Sequence, residues 1–445
     1  MCILLLKKAV PFSKILFILF LRPKNLYLLY FLYIKLATLL TVPVMVSSHH
    51  NISRLTMTFE FAKLPLLPFD TGKGDSYLSE VIRIRLHGVN QNKDTKHVQV
   101  ILKNIPKSVA RRLTFKSHEF FKNEINFYEK VLPALLEFQA TKNVPDPFDK
   151  YAKVFLSYSD GTNDVICLED ANLQNFGSAV RQEGIDLEHC RLTFKILAQF
   201  HALSFAMKDQ KPEEFERIRT EVFETYYHDR LWGWYSRFWK RISGIAIDAV
   251  EKTYPDSIYV EKIKKFAVPE RYQDMIDAAT KTIQTGVISH GDSWTNNFLY
   301  KYEDGRPIDA KIIDFQLSRC ATPVLDLTFV IYACTDQELR EKHYDELLKY
   351  YYEVLSSQIS ALGSDPVKVY SWETFIGEIK QYSYFALAFS FESTPFIVLA
   401  PEDAVNMEME VIFYTYYHAC RSRRVRQKFA NVPTSIFRRY VLGPM

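Results

Sequence analysis

Apolar and polar residues follow three rhythms along this chain. From Tyr77 to Leu86 the period is two. Leu78, Ile82, Ile84 and Leu86 share one face and Arg83 and Arg85 the other, which predicts a strand. His97 to Asn104 repeats that pattern, with Val98, Val100 and Leu102 opposite Gln99, Ile101 and Lys103. From Phe120 the spacing becomes helical, and Pro133 reads as the stop signal of that helix. Val154 to Ser157 and Asp164 to Leu168 flank the turn-forming Ser159–Asn163 and predict a hairpin. Helical spacing dominates afterwards: Asp186 to Met207, Phe223 to Ile242, Glu341 to Leu362, Trp372 to Phe391 and Glu402 to Cys420. Thr322 to Leu327 opens a further helix. Val287 to Gln316 breaks this series. It reads as an apolar strand, a polar loop, two more apolar strands and an acidic end.

The third rhythm is unbroken apolarity, and it is confined to the start. Ile15 to Leu21 and Leu26 to Val46 are apolar runs, the second interrupted by Lys35. The first acidic residue of the chain is Glu60. The second run is long enough to span a bilayer, for which about 20 apolar residues are needed. Lys35 costs on the order of 3 kcal/mol on insertion, which the leucines around it can offset. Residues 1–56 are therefore read as a membrane anchor, a cleaved targeting peptide, or sequence upstream of a true start at Met45 or Met57.

Composition narrows the classes. A hydrophobic content of 48% supplies an ordinary core, and 445 residues suffice for two or three domains or one two-lobed enzyme. The formal charge of +4 is small for this length and gives no sign of a nucleic-acid partner. The cysteines, Cys2, Cys167, Cys190, Cys320, Cys334 and Cys420, form no C-x-x-C or Cys/His cluster, so zinc is not expected and reduced thiols are. The basic run Arg421–Lys428 reads as a solvated helix end.

The candidate chemistry lies in Val287–Gln316. Asp292 and Asn297 stand five residues apart in one polar loop, and Asp314 closes the apolar strand after it. Magnesium takes oxygen ligands and binds through one or two carboxylates plus substrate phosphates. Two carboxylates and an amide at the mouth of a hairpin suit metal-assisted phosphoryl transfer. Upstream, Gly72 and Gly74 lie in a turn, Gly72–Ser76, whose backbone N–H groups can approach phosphates. Glu124 falls within three or four positions of Phe120, Phe121, Phe127 and Tyr128, on or beside the apolar face of its helix. A semi-buried glutamate needs a cation, and Lys103 is the expected partner; Glu119 and Glu129 are the alternatives to Glu124. His201 is expected as a core histidine. The aromatic run Phe223–Ile242, with Trp234 and Trp239, is explained mostly by packing and suits in addition the wall of a lipophilic pocket.

The sequence H-x-D-x(4)-N, followed by a strand ending in D-F, is here HGDSWTNN and IIDFQ. It resembles kinases that phosphorylate small molecules on a protein-kinase-like fold, the choline kinase and aminoglycoside phosphotransferase group. Within that group it looks most like the insect ecdysteroid-kinase-like family, also called CHK kinase-like. The resemblance covers roughly residues 57–430. It implies Asp292 as the base that takes the acceptor hydroxyl's proton, and Asn297 and Asp314 as magnesium ligands, with Asn296 the alternative to Asn297. It implies Lys103 as the phosphate-binding lysine paired with Glu124. Cys167, Leu168 and Glu169 are implied as the hinge whose backbone meets adenine, although ANLQNFG at 171–177 departs from the leucine- and proline-containing form of that segment. Gln316 stands where protein kinases carry glycine, and no A-P-E follows, so a small-molecule acceptor is expected.

The fold so implied is α+β and two-lobed: a small antiparallel sheet with one helix (57–170) over a mainly helical lobe (171–445). The implied activity is transfer of the γ-phosphoryl group of Mg·ATP to a hydroxyl of an ecdysteroid or another small lipophilic molecule. The scattered, reduced cysteines suit a cytoplasmic body, with membrane contact expected only through residues 15–46. A choline- or aminoglycoside-type kinase and a non-catalytic nucleotide-binding scaffold are the alternatives.

Overall fold

The computed structural model describes residues 58–60, 79–89, 95–106, 112, 116–281, 283–398, 423–437 and 439. The glycine turn, the segment 1–56 and the expected helix over 402–420 lie outside the described residues. The chain begins with β1 (Thr58–Glu60), β2 (Glu80–Val89) and β3 (Thr95–Asn104), then α1 (Ser117–Asn126), a π turn (Phe127–Val131) and α2 (Leu132–Ala140). β4 (Val154–Tyr158) and β5 (Val165–Glu169) complete an antiparallel five-stranded sheet in the order β1-β2-β3-β5-β4. β6 (Phe176–Ser178) leads into the helical part: α3 (Leu187–Gln210), α4 (Trp232–Thr253) and α5 (Arg271–Thr280), with shorter helices between. β7 (Val287–Ser289), β8 (Phe298–Glu303), β9 (Arg306–Ile312) and β10 (Arg319–Ala321) carry the polar loop. α6 (Val324–Cys334), α7 (Gln337–Ala361), α8 (Trp372–Val398) and α9 (Arg423–Ile436) close the molecule. The architecture is α+β and two-lobed: an antiparallel five-stranded sheet with α1 beside it, followed by a mainly helical lobe.

The period-two pattern sorts the small sheet's faces. Ile84, Val100, Leu102, Leu156, Val165 and Cys167 form a separate core on one side. On the other side Ile101, Ile166 and Leu168 meet Phe121 and Ile125 of α1 and join the main core, which runs on into the helical lobe. Lys103 pairs in register with Ile166 and so belongs to this second face, toward α1.

Two elements differ from expectation. Pro133 does not stop its helix. The Leu132 N–H reaches back five residues to Phe127 O, and this π turn precedes Pro133 in the first turn of α2. A proline there forfeits no bond that the first turn would make, and one wider turn lets the helix run on past it. The aromatic run Phe223–Ile242 is likewise not one helix. α4 starts only at Trp232, because Glu224 Oε1 accepts the N–H groups of Tyr226 (2.6 Å) and Tyr227 (2.8 Å) and closes a loop instead.

The two lobes meet on Phe315. Its ring stacks on Phe127 at 3.9 Å between centroids and meets Tyr128, Phe200 and His290 edge-on. The Ile312 N–H also donates to Lys150 O at 2.8 Å. Among the described residues no helix is long and apolar enough to cross a membrane. Phe315 is fully buried among these rings. Phe315→Ala should therefore lower the unfolding free energy by about 3–5 kcal/mol in a denaturant titration, and Phe315→Leu by clearly less. Equal, small losses in both would mean that the stack does not join the lobes.

Candidate functional site

The site begins with a lysine that the sheet aims at α1. Lys103 Nζ donates to Glu124 Oε2 at 2.7 Å and to Asp314 Oδ1 at 2.6 Å, with Gln316 Oε1 at 3.4 Å. Lys103 is 4% exposed and Glu124 0%. Helical spacing accounts for Glu124: it shares the buried side of α1 with Phe120, Phe121 and Ile125. Burial works to lower the Lys103 pKa, but Asp314 and Glu124 outweigh it and hold the ammonium above its ordinary value. Burial pushes Glu124 up to about 7 against the opposing pull of Lys103.

Asp314 follows β9 with φ +67°, in the left-handed region. Such a backbone costs a non-glycine residue of order 1–3 kcal/mol and persists where its surroundings enforce it. Here the buried Phe315 ring on one side and the Lys103 ion pair on the other do so.

The loop after β7 is held from beneath by a residue of α6. Asp326 accepts the N–H groups of His290 (2.7 Å) and Gly291 (2.9 Å), and its Oδ2 lies 3.2 Å from His201 Nε2. Tyr351 Oη meets the other ring nitrogen of His201 at 2.9 Å, so His201 sits in the core with both nitrogens engaged. Burial works to raise the Asp326 pKa, but the hydrogen bond and charge of His201 lead the opposing effects and hold it at about 2. His290 Nε2 donates to Ile313 O (2.8 Å) and its Nδ1 accepts from the Asp292 N–H (3.2 Å). That ring thus ties the loop to the strand leading to Asp314. Gly291 has φ +82°, and a Cβ there would stand 2.0 Å from Leu317 O, so only glycine fits.

Within this braced loop Asn297 Nδ2 donates to Asp292 O (2.8 Å) and Oδ2 (3.1 Å). Burial, then the charge of Asp314, push the Asp292 carboxyl up to about 7, and the Asn297 hydrogen bond opposes them. The donor set fits a hard divalent cation. Asp292, Asp314 and Glu124 outnumber the single ammonium of Lys103, and with its Nδ2 engaged Asn297 offers its amide oxygen. Among the described residues no three His, Cys, Asp or Glu side chains converge to hold a metal alone. A cation here would need substrate oxygens to complete its shell, as magnesium bound with a nucleotide does.

Ion pairs thus join Lys103, Glu124 and Asp314, and the hydrogen-bonded Asp292 and Asn297 lie near enough for the charges of Asp314 and Lys103 to act on the Asp292 carboxyl. Gly72 and Gly74 lie outside the described residues. The expected hinge residues Cys167–Glu169 are the end of β5. β5 lies between β3 and β4, so the backbones of Cys167 and Leu168 belong to the sheet ladder, and the Cys167 side chain faces the small core away from Lys103. Leu168 shares the Lys103 face, and Glu169 ends the strand with its N–H on Lys153 O (2.8 Å) and its carboxylate on Lys311 Nζ (3.1 Å). The first backbone past the ladder is Asp170–Ala171. Asp170 was missed by sequence reasoning. It accepts from Arg83 Nε (2.5 Å), Gln99 Nε2 (2.5 Å) and the Asn172 N–H (3.1 Å), and pins the start of the helical lobe to β2 and β3. Its one sequence signal was Arg83, which with Arg85 stands opposite the apolar face of β2. Trp239 is fully buried in the core and so packs rather than lines a pocket; Trp234, half-buried, stacks on Phe238.

A model of the ecdysteroid kinase-like family matches residues 73–364. Among solved structures the chain is similar to an ethanolamine kinase from Plasmodium vivax, at 12% identity over 84% of this chain and 83% of that one, with a TM-score of 0.34. It is also similar to a variant of aminoglycoside 2'-phosphotransferase-IIIa in complex with GDP (13% identity, 75% and 86% coverage, TM-score 0.36). The wild-type form of that enzyme, also with GDP, gives 15%, 76%, 89% and 0.33. No curated protein matches the sequence.

Asp326 supplies a pH test of the loop brace. Its folded pKa of about 2 lies below the ordinary carboxylate value, so its contribution is present above about pH 4 and is lost as pH falls toward 2. Asp326→Asn should cost about 2 kcal/mol at pH 7 and flatten the fall of stability between pH 4 and 2 in urea titrations. A variant with the wild-type slope would assign that acid sensitivity elsewhere.

Proposed function

The chain belongs to the ecdysteroid kinase-like family, and we propose on that premise that it transfers the γ-phosphoryl group of ATP to a hydroxyl of an ecdysteroid or another small lipophilic alcohol. It is a small-molecule kinase, a phosphotransferase with an alcohol group as acceptor. The observation that carries the mechanism is the Lys103 ammonium held between Glu124 (2.7 Å) and Asp314 (2.6 Å), near enough to the Asp292–Asn297 pair for its charge to act on the Asp292 carboxyl.

In this reading Asp292 orients the acceptor hydroxyl and takes its proton as the oxygen attacks the γ-phosphorus. The new P–O bond forms on the acceptor, the bond to the β-phosphate oxygen breaks, and ADP leaves with that electron pair. Lys103, kept charged by its two carboxylates, contacts the nucleotide phosphates, and Glu124 fixes its position. Asn297 and Asp314 would hold magnesium, which when bound neutralises charge on the phosphate oxygens. The raised pKa of Asp292 suits a proton acceptor poised near neutrality. Leu168, Glu169 and the backbone after them would border the adenine, and the glycine turn at 72–74 would lie over the phosphates. The acceptor class rests on the family, and a cytoplasmic location belongs to the same proposal.

The test is transfer of radiolabelled phosphate from Mg·ATP to a panel of ecdysteroids, phenolic glucosides and choline. We expect labelling of an ecdysteroid or phenolic glucoside and not of choline, and a fall of about 100-fold or more with Asp292→Asn. Transfer to choline alone would move the acceptor to the amino-alcohols. No transfer and no Mg·ATP binding would overturn the kinase reading. Full turnover by Asp292→Asn would remove that residue as the base.

A further inference from the structure

One buried side chain beside the Lys103 ion pair has no part in the mechanism above. Asn123 precedes Glu124 on α1 and is 0% exposed. Burying a primary amide without partners costs roughly 2–7 kcal/mol, so such a residue has hydrogen bonds or a reason to lack them. Asn123 has three, and none is to its own helix. Its Nδ2 donates to Gln316 O (3.1 Å) and Ser318 O (2.7 Å), and its Oδ1 accepts the Phe223 N–H (3.0 Å). Both amide hydrogens grip the backbone just beyond Asp314. The oxygen grips the loop that leads to α4.

That loop is tied to the same places by other contacts. Thr225 Oγ1 lies 3.5 Å from Gln316 O, and Arg230, which donates to Thr225 O (3.2 Å), pairs with Glu119 of α1. Glu224 Oε2 accepts from Arg319 Nη1 (2.9 Å), and the same nitrogen lies 3.3 Å from where a Cβ on Gly291 would stand. The chain of contacts therefore runs from Glu124's helix through the segment after Asp314 to the loop of Asp292.

We propose that Asn123 is a positioning residue that clamps α1 to the backbone after Asp314 and joins both to Phe223–Tyr227, so that Glu124, Lys103 and Asp314 are held in register with the Asp292 loop. The physical reason is leverage. Glu124 is the next residue on the same rigid turn, so a rotation or slide of α1 that parts Glu124 from Lys103 must also break the Asn123 bonds. A side-chain amide suits the task because it offers two donors and an acceptor from one planar group. The role rests on the kinase reading for its catalytic consequence, while the clamp itself is a matter of structure.

The experiment compares Asn123→Leu and Asn123→Asp with Gln139→Leu in the full chain. Gln139 is a buried amide of the same kind on α2. It bonds Phe148 N (2.9 Å) and Phe148 O (3.2 Å), away from the cleft. Steady-state kinetics, thermal unfolding and hydrogen–deuterium exchange are read on each. Asn123→Leu should lower kcat by about 10- to 100-fold with KM for ATP within about threefold, since misplacement by an ångström costs on that order. Exchange should rise in both 223–227 and 315–320. Asn123→Asp keeps an acceptor for the Phe223 N–H but loses both donors, so exchange should rise at 315–320 and not at 223–225. Gln139→Leu should lower the unfolding temperature comparably and leave kcat within about twofold, because catalytic geometry away from the cleft is intact. Equal kcat losses in Asn123→Leu and Gln139→Leu, or unchanged exchange at both segments in Asn123→Leu, would overturn the proposal. If the wild type transfers no phosphate, the kinase reading fails and the clamp is decided by exchange alone, on the same two segments.

Discussion

A buried ammonium between two carboxylates sets the terms for the rest of this molecule. Lys103 comes from β3 of the small sheet, Glu124 from the helix beside it, and Asp314 from the far lobe. Removing charged groups from water costs several kcal/mol each, and only close geometry repays it. The sheet, α1 and the segment after β9 must therefore arrive together. Loss of one partner would leave an uncompensated charge, which typically costs 3–5 kcal/mol. Asp292 adds a third carboxylate near Lys103, so acidic groups outnumber the one ammonium there.

The second constraint is the shape of the loop that carries Asp292. A loop exposed to substrate on one side must be rigid on the other. Asp326 and His290 provide that support from below, through main-chain N–H groups and the carbonyl of Ile313. Gly291 lets the loop approach Leu317 closely, and Asp314 takes a left-handed backbone next to it. Strain at Asp314 is thus confined between a stacked ring and an ion pair. The polar network continues through Arg319 and Glu224 into the loop before α4.

Much of this was legible in the chain before any coordinates. The spacing of HGDSWTNN and IIDFQ located Asp292, Asn297 and Asp314, and helical periodicity placed Glu124 on a buried face. Strand alternation put Lys103 opposite Leu102, on the face that meets α1. The errors have local causes. Pro133 looked like a terminator because a helical pattern does not reveal a π turn five residues long. The aromatic run looked like one helix because ring spacing says nothing of Glu224 capturing two N–H groups of a loop. The pairing of Cys167 with both β3 and β4 could not be read from the chain, because position along a strand does not tell which neighbours will pair with it.

The sequence by itself determined the local chemistry: which side chains share a strand face or a helix face, and which oxygens sit at loop spacing from one another. Those features depend on the geometry of a few adjacent residues, which the backbone period fixes. Tertiary structure alone decided the partners. Lys103 finds Asp314 across 211 residues, Asn123 finds Ser318 across 195, and Asp170 finds Arg83 across 87. At such separations periodicity carries no information. Only tertiary packing, of the strands into one sheet and of the lobes on Phe315, brings these groups within the 3 Å or so at which a hydrogen bond forms.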